Sequence, residues 1–230
     1  PAANSAAIGF EDYSGGGVTV QNVSVANSTL TNNSNRGIHV RGRVVADIDG
    51  SVLTNNGYDA FGSGGNVGFG VLVSEDASAT VNNCIINNPT SATPYAVHAL
   101  ALGNGSTNSL VATDNIIGVH YAEANSFGAS NNGTGTLTAE CNYWAETAYQ
   151  DILPRINGTV DFINWRQDGT DDGDPSNGFQ PQSPADDCTG NPITDLAASE
   201  TTPGSCANTA DGAALATLTT GVAPYTFSWV

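Results

Sequence analysis

One short signature recurs along the first two thirds of the chain, and it constrains the fold more than any other feature. A polar turn residue is followed by one variable residue and then a large apolar one. The copies are Ser28-Thr29-Leu30, Ser51-Val52-Leu53, Asn83-Cys84-Ile85, Asn115-Ile116-Ile117 and Asn142-Tyr143-Trp144. They are spaced 23, 32, 32 and 27 residues apart. An Asn-Asn pair trails the first three, at Asn32-Asn33, Asn55-Asn56 and Asn87-Asn88. Repetition on this scale marks architectures built by stacking one small unit on the next.

Each copy is preceded by a short alternating stretch: Val23-Ser24-Val25, Ala46-Asp47-Ile48, Ser78-Ala79-Thr80, Leu110-Val111-Ala112 and Leu137-Thr138-Ala139. Alternation puts the outer residues of each triplet on one face of a strand. A second strand follows the first three copies, at Gly37-Ile38-His39-Val40, Gly70-Val71-Leu72-Val73 and Ala96-Val97-His98-Ala99. Ala7-Ile8-Gly9-Phe10 reads as the same strand of an earlier coil. Short strands at this spacing, without helices between them, predict an all-β solenoid over 1–145. One coil cannot enclose a core, whereas coils stacked about 4.8 Å apart pair every strand and bury a continuous inward column. Asparagine at a repeated turn tolerates the left-handed conformation and hydrogen-bonds to its counterpart one coil away. The extra residues 57–69 and 88–94 follow the Asn-Asn turns, where the first coil holds only Ser34-Asn35-Arg36. Insertions thus collect on one edge, where binding loops tend to sit. The stretch Gly118 to Thr136 leaves the register of the fourth coil open.

The Asn-x-Ile turn and the Gly-Ile-x-Val strand resemble the right-handed parallel β-helix family, the pectin-lyase-like solenoids, over residues 6–145. The resemblance implies a right-handed coil. It implies no single activity, because lyases, hydrolases, tailspikes and adhesins share the fold.

After Trp144 the composition shifts. Residues 146–188, with a strand at Thr159–Ile163, are expected to cap the open end of the solenoid. A linker rich in Thr, Pro, Ala and Ser covers 189–205. From Cys206 the chain reads Cys, then Asp211-Gly212-x-Ala, an alternating strand, and Gly221-x-x-Pro224-Tyr225-x-x-Ser228-Trp229. This run, 206–230, resembles the start of an SprB-type repeat, the immunoglobulin-like module of giant surface adhesins in gliding Bacteroidetes. In that family the opening cysteine pairs near the end of the module. The resemblance implies a fragment of a much longer surface protein.

The chain holds no lysine, and its five arginines face 22 acidic residues for a net charge of −17. Nothing there can neutralise a run of phosphates, which excludes nucleic-acid binding. A basic patch for anionic membranes is excluded too, and no apolar stretch nears the ~20 residues of a membrane span. The opening PAANSAAIGF has neither a basic start nor an apolar core. That fits a protein whose signal peptide has been removed or an excised fragment. An extracellular location is the expectation.

Of the four cysteines, Cys141 sits at the last coil and Cys188 in the tail. A Cys141–Cys188 bond would pin the cap to the solenoid; Cys188–Cys206 is the competing pairing. Cys84 falls in the turn column with Thr29, Val52, Ile116 and Tyr143, as a free packed thiol. No Cys or His spacing supports zinc.

Candidate chemistry is sparse. Asp47 and Asp49 are two apart on one strand and point outward, about 7 Å apart, within the range of an inverting glycosidase pair. Their neighbours in the same columns are Ser24, Ala26, Ala79 and Val81, so no carboxylate cluster builds up, and Arg41 and Arg43 are close enough in sequence to neutralise them. The lysine often used as base in β-helix lyases is missing. His39 and His98 align in one outward column with Leu72 between them, and His120 joins only if the turn is shortened. No Ser-His-Asp or Cys-His set emerges from spacing. Asp168, Thr170, Asp172 and Asp174, with Gly173, resemble the first half of a calcium loop. Position 12 is Phe179, not Glu, which excludes the helix-loop-helix version. Six Asn-x-Ser/Thr sequons, at Asn22, Asn27, Asn32, Asn104, Asn132 and Asn157, follow from composition.

The residues imply the architecture, and the resemblance implies a non-enzymatic module of a secreted surface adhesin or surface filament. Its loop edge would meet a polysaccharide, another extracellular ligand or neighbouring modules of the same protein, with calcium as the one expected ion. The alternative is a polysaccharide-active β-helix hydrolase or lyase working through Asp47 and Asp49.

Overall fold

The computed structural model describes residues 6–12, 20–57, 67–88, 96–119, 125–147, 149–171, 178–182, 188, 196–202 and 213–218. Four complete coils carry three strands each. The first holds β1 (Ala6–Asp12), β2 (Gln21–Ala26) and β3 (Thr29–Thr31), and the second β4 (Arg36–Gly42), β5 (Val44–Asp49) and β6 (Val52–Thr54). The third holds β7 (Val67–Ser74), β8 (Ser78–Asn82) and β9 (Ile85–Asn88), and the fourth β10 (Ala96–Leu102), β11 (Ser109–Thr113) and β12 (Ile116–Val119). A fifth coil has β13 (Phe127–Asn131), β14 (Thr136–Thr138) and a bridge from Ile116 to Tyr143. After a short helix, α1 (Tyr149–Ile152), β15 (Ile156–Gly158) and β16 (Val160–Asp161) begin a sixth.

Corresponding strands pair in parallel into three sheets, ordered β1-β4-β7-β10-β13-β15, β2-β5-β8-β11-β14-β16 and β3-β6-β9-β12. The chain is a parallel β-solenoid. Its core runs along the axis through Ile38, Val71, Leu100 and Ala129 of the first sheet. Ala46, Ala79, Leu110 and Leu137 face them from the second, and Leu53, Ile86 and Ile117 from the third. The paired strands of the solenoid continue past residue 145, because 156–158 pair onto β13 and 160–161 onto β14. Trp144, Tyr149, Phe162 and Trp165 close that end as one aromatic cluster, with Tyr149 and Phe162 stacked at 5.9 Å.

The register departs from the expected one in the third coil, by one residue. Ala46 pairs with Ala79, Asp47 with Thr80 and Ile48 with Val81, so the aligned triplet is Ala79-Thr80-Val81, not Ser78-Ala79-Thr80. At the turn, Val52 pairs with Ile85 and Ile85 with Ile116. Cys84 therefore leaves the column of Val52 and Ile116 for that of Ser28, Ser51, Asn115 and Asn142.

That corrected column explains the turn. Just before it, Asn27, Gly50, Asn83, Asp114, Cys141 and Asn164 all have φ between 46° and 65°. This left-handed region admits Gly and, next best, Asn and Asp, which is why those types dominate there. The next side chain in each coil accepts the backbone N–H of the coil before it. Ser51 Oγ accepts from Ser28 (3.2 Å), Cys84 Sγ from Ser51 (3.5 Å), Asn115 Oδ1 from Cys84 (2.8 Å) and Asn142 Oδ1 from Asn115 (3.0 Å). Ser28, Ser51, Cys84 and Asn142 also donate to the carbonyl two residues earlier. The ladder satisfies buried polar groups that the corner would otherwise leave unpaired. A shorter one at the next corner joins Asn33 to Asn56.

Past Trp165 the chain doubles back outside the ladder. Arg166, 2% exposed, binds Asp114 Oδ1 through Nε at 3.0 Å. Phe179 donates its N–H to Asn83 O at 2.7 Å and is wholly buried without belonging to the core. Gly178 lies so close to Gly50 and the Asn83 carbonyl that no Cβ fits. Leu196–Thr202, inside the expected linker, pairs antiparallel with Ala213–Leu218 as β17 and β18. Beyond Ala213–Leu218, the expected immunoglobulin-like repeat at 206–230 lies outside the described residues.

Candidate functional site

The three connections from the third sheet to the first, residues 55–66, 89–95 and 120–126, are longer than the first coil's 32–35. They enter the strands at a column of one residue per coil, Arg36, Phe69, His98 and Phe127. Neither phenylalanine belongs to the core cluster. The Arg36 guanidinium lies 5.9 Å from the Phe69 ring centre. His98 meets Phe69 edge-on at 5.6 Å and Phe127 at 5.3 Å. His98 therefore does not share the column of His39 and Leu72, which continues to Ala101 and Ser130. The two sequence segments differ by three residues in phase.

Both histidines are 5% exposed, and burial is the main cause that pulls each pKa from 6.5 down to about 4. The charges of Arg36 and Arg41 add to the effect at His39, while Glu75 opposes it. His98 Nε2 lies 3.1 Å from the Asn125 carbonyl, which accepts its proton.

The structure assembles one constellation that spacing did not reveal. His39 Nε2 lies 3.0 Å from Ser74 Oγ, and His39 Nδ1 lies 3.8 Å from Glu11 Oε1. Three adjacent strands of the first sheet supply these groups, so only a knowledge of the register could bring them together. The order resembles a nucleophile, base and carboxylate, but the hydrogen bonding opposes that use. Arg36 can only donate, and its NH1 lies 3.5 Å from His39 Nδ1. Glu11 is beyond hydrogen-bond distance. Nδ1 therefore carries the lone pair, and Nε2–H donates to Ser74. In this tautomer His39 cannot take the Ser74 proton.

Asp47 and Asp49 sit on the outer face of the second sheet. Their columns offer Ser24 and Thr80 beside Asp47, and Ala26 and Asn82 beside Asp49. The expected neighbours Ala79 and Val81 instead face the core, a consequence of the one-residue register change. Asp49 Oδ1 accepts from Asn83 Nδ2 at 2.9 Å. The arginines nearby have other partners: Arg41 binds Glu75, holding its carboxyl below the usual range, and Arg43 lies 3.6 Å from Asp12.

Of the expected calcium ligands, Asp172 and Asp174 lie outside the described residues, as does His120. Asp168 Oδ1 accepts from both the N–H and the Oγ1 of Thr170. Those two arms belong to a turn that closes through Gln182 N–H to Thr170 O and Gln180 N–H to Asp171 Oδ1. Cys141 and Cys188 are joined in a disulfide, with Cα atoms 4.9 Å apart. Cys84 is buried and free, and burial pushes its thiol up to about 12. Among the described residues no helix is long and apolar enough to cross a membrane.

No family model, no curated protein and no solved structure matches the chain.

Proposed function

We propose that the chain is a non-catalytic display module of a large secreted surface protein. In this reading the solenoid is right-handed and related to the pectin-lyase-like helices, and the 206–230 segment begins an SprB-type repeat. Its task is to hold the loops before β7, β10 and β13 in fixed relation for an extracellular ligand, with a surface polysaccharide the first candidate. Calcium held by Asp168, Thr170, Asp172 and Asp174 belongs to the same proposal.

The observation that carries the reading is the isolation of Asp47 and Asp49. Their columns supply serine, threonine, alanine and asparagine where an enzyme would need a second acid or an arginine. Closely bonded ladders on two corners suit a spacer that keeps its shape. The hydrolase alternative draws on the Ser74–His39–Glu11 alignment, and the proton on His39 Nε2 counts against it.

A panel of immobilised glycans, probed with the full chain, tests the binding half of the proposal. Retention on a subset of polysaccharides is the expected result. Retention on none, with and without calcium, would remove the polysaccharide as partner.

A further inference from the structure

Asparagine followed by glycine is the sequence most prone to spontaneous loss of the side-chain amide, because nothing on the next residue hinders its nitrogen. The described residues contain four such pairs: Asn56-Gly57, Asn104-Gly105, Asn132-Gly133 and Asn157-Gly158. The solenoid holds three of them out of reaction. The Asn56 carboxamide is buried, bonded to Asn33 and to the Leu30 carbonyl, and Gly57 N–H is bonded to Asn33 O at 2.7 Å. Asn132 Oδ1 accepts from Asn157 Nδ2, and Gly133 N–H is bonded to Asn131 Oδ1. Asn157 Nδ2 also donates to Ser130 Oγ, and Gly158 lies in β15, paired with Asn131.

Asn104 differs in its carboxamide and in the N–H of the following glycine. Its side chain is exposed in the turn between β10 and β11, with no hydrogen bond among the described residues. Among the described residues the Gly105 N–H is likewise unbonded. The backbone around them is pinned, since Asn104 O accepts from Glu75 N–H at 2.7 Å and from Asn108 Nδ2 at 3.0 Å. Glycine is also obligatory here. Its φ is +143°, and a Cβ would collide with the Asn108 side chain. The turn thus imposes the least hindered nucleophile on the one asparagine of the four whose amide is unprotected.

We infer that Asn104 is a self-modification site, converting to aspartate and isoaspartate while its three counterparts persist. The Gly105 nitrogen attacks Asn104 Cγ and loses its proton to solvent. The C–N bond of the carboxamide breaks, its nitrogen takes a proton from solvent and leaves as ammonia, and a five-membered succinimide forms. Water then opens the ring at either carbonyl, so no oxidant or further reactant is needed. The product carries one extra negative charge close to Glu75 and Asp76, in a protein already at −17. The isoaspartate form also reroutes the backbone through Cβ and Cγ, leaving the carbonyl that receives Glu75 N–H as a free carboxylate off the main chain.

The test is prolonged incubation of the full chain at mildly alkaline pH, followed by peptide mapping with mass detection and fragmentation that separates isoaspartate from aspartate. Opening one hydrogen bond at about 1 kcal/mol slows attack roughly fivefold, so two or more give a preference of at least about tenfold for Asn104. A parallel incubation in denaturant supplies the reference, where all four pairs should react at similar rates. Asn104→Gln should abolish modification at this position and leave the other three slow. Equal rates at the four pairs in the folded protein, or a slower rate at Asn104, would overturn the assignment.

Discussion

The sulfur of Cys84 lies 3.5 Å from the backbone nitrogen of Ser51, in the position that a carboxamide oxygen fills in the next two coils. A thiol is a weak acceptor, so this is the softest rung of the ladder. Replacing it with alanine leaves the buried Ser51 N–H without a partner. Cys84→Ala should cost about 1–3 kcal/mol in urea unfolding, and Cys84→Ser distinctly less. In the folded state the thiol should resist labelling by alkylating reagents, because burial raises its pKa to about 12.

The ladder also predicts a gradient along the axis. Asn142 Oδ1 receives both the N–H and the Nδ2 of Asn115, while its own Nδ2 satisfies the Ala112 and Glu140 carbonyls. Asn142→Ala should therefore cost on the order of 3 kcal/mol or more. Ser28, at the exposed end, bonds only the nearby Ala26 carbonyl through its side chain. Ser28→Ala should cost under about 1 kcal/mol. Denaturant midpoints of the two variants measure the difference.

Acid should weaken the fold through its buried histidines. In the unfolded chain an imidazole takes up a proton below about pH 6.5, whereas folded His39 and His98 stay neutral down to about 4. Between those values the unfolded state binds more protons, so stability rises with pH across the window. The contribution is complete above it and lost below about pH 4. Together the two groups account for at most about 7 kcal/mol. Urea unfolding at several pH values should give a shallower slope for His39→Gln and His98→Gln combined than for the wild type.

The Cys141–Cys188 bond closes a loop 47 residues apart in sequence and ties the returning segment to the ladder corner. Removing it frees the unfolded chain by about 4 kcal/mol on the loop-entropy model. Reduction, or Cys141→Ser with Cys188→Ser, should lower the thermal midpoint. Amide exchange should quicken at Phe179, whose N–H is bonded to Asn83 O.

The solenoid itself was legible because strands and turns repeat, and the inward columns announce themselves by alternation. The register of the third coil was not. Cys84-Ile85-Ile86 is an unbroken apolar run, and the Asn82-Asn83 doublet offers two candidates for the turn. Once cysteine occupies a rung otherwise built from serine and asparagine, composition no longer identifies it. A slip of one residue exchanges the two faces of a strand, which is how Ala79 and Val81 came to be expected beside Asp47 and Asp49. The phase of β10 was hidden for a similar reason, since Ala96–Leu102 is apolar at all positions but His98. Ser74, His39 and Glu11 meet only across three coils, a relation that no local spacing encodes.

An assay of turnover decides whether the solenoid displays loops without catalysing a reaction. The full chain would be incubated with a panel of neutral and acidic polysaccharides, with and without calcium, while new reducing ends and unsaturated ends are measured. No product is expected above the level of the Asp47→Asn, Asp49→Asn double variant or of Ser74→Ala. Product formed by the wild type and lost in either variant would contradict it.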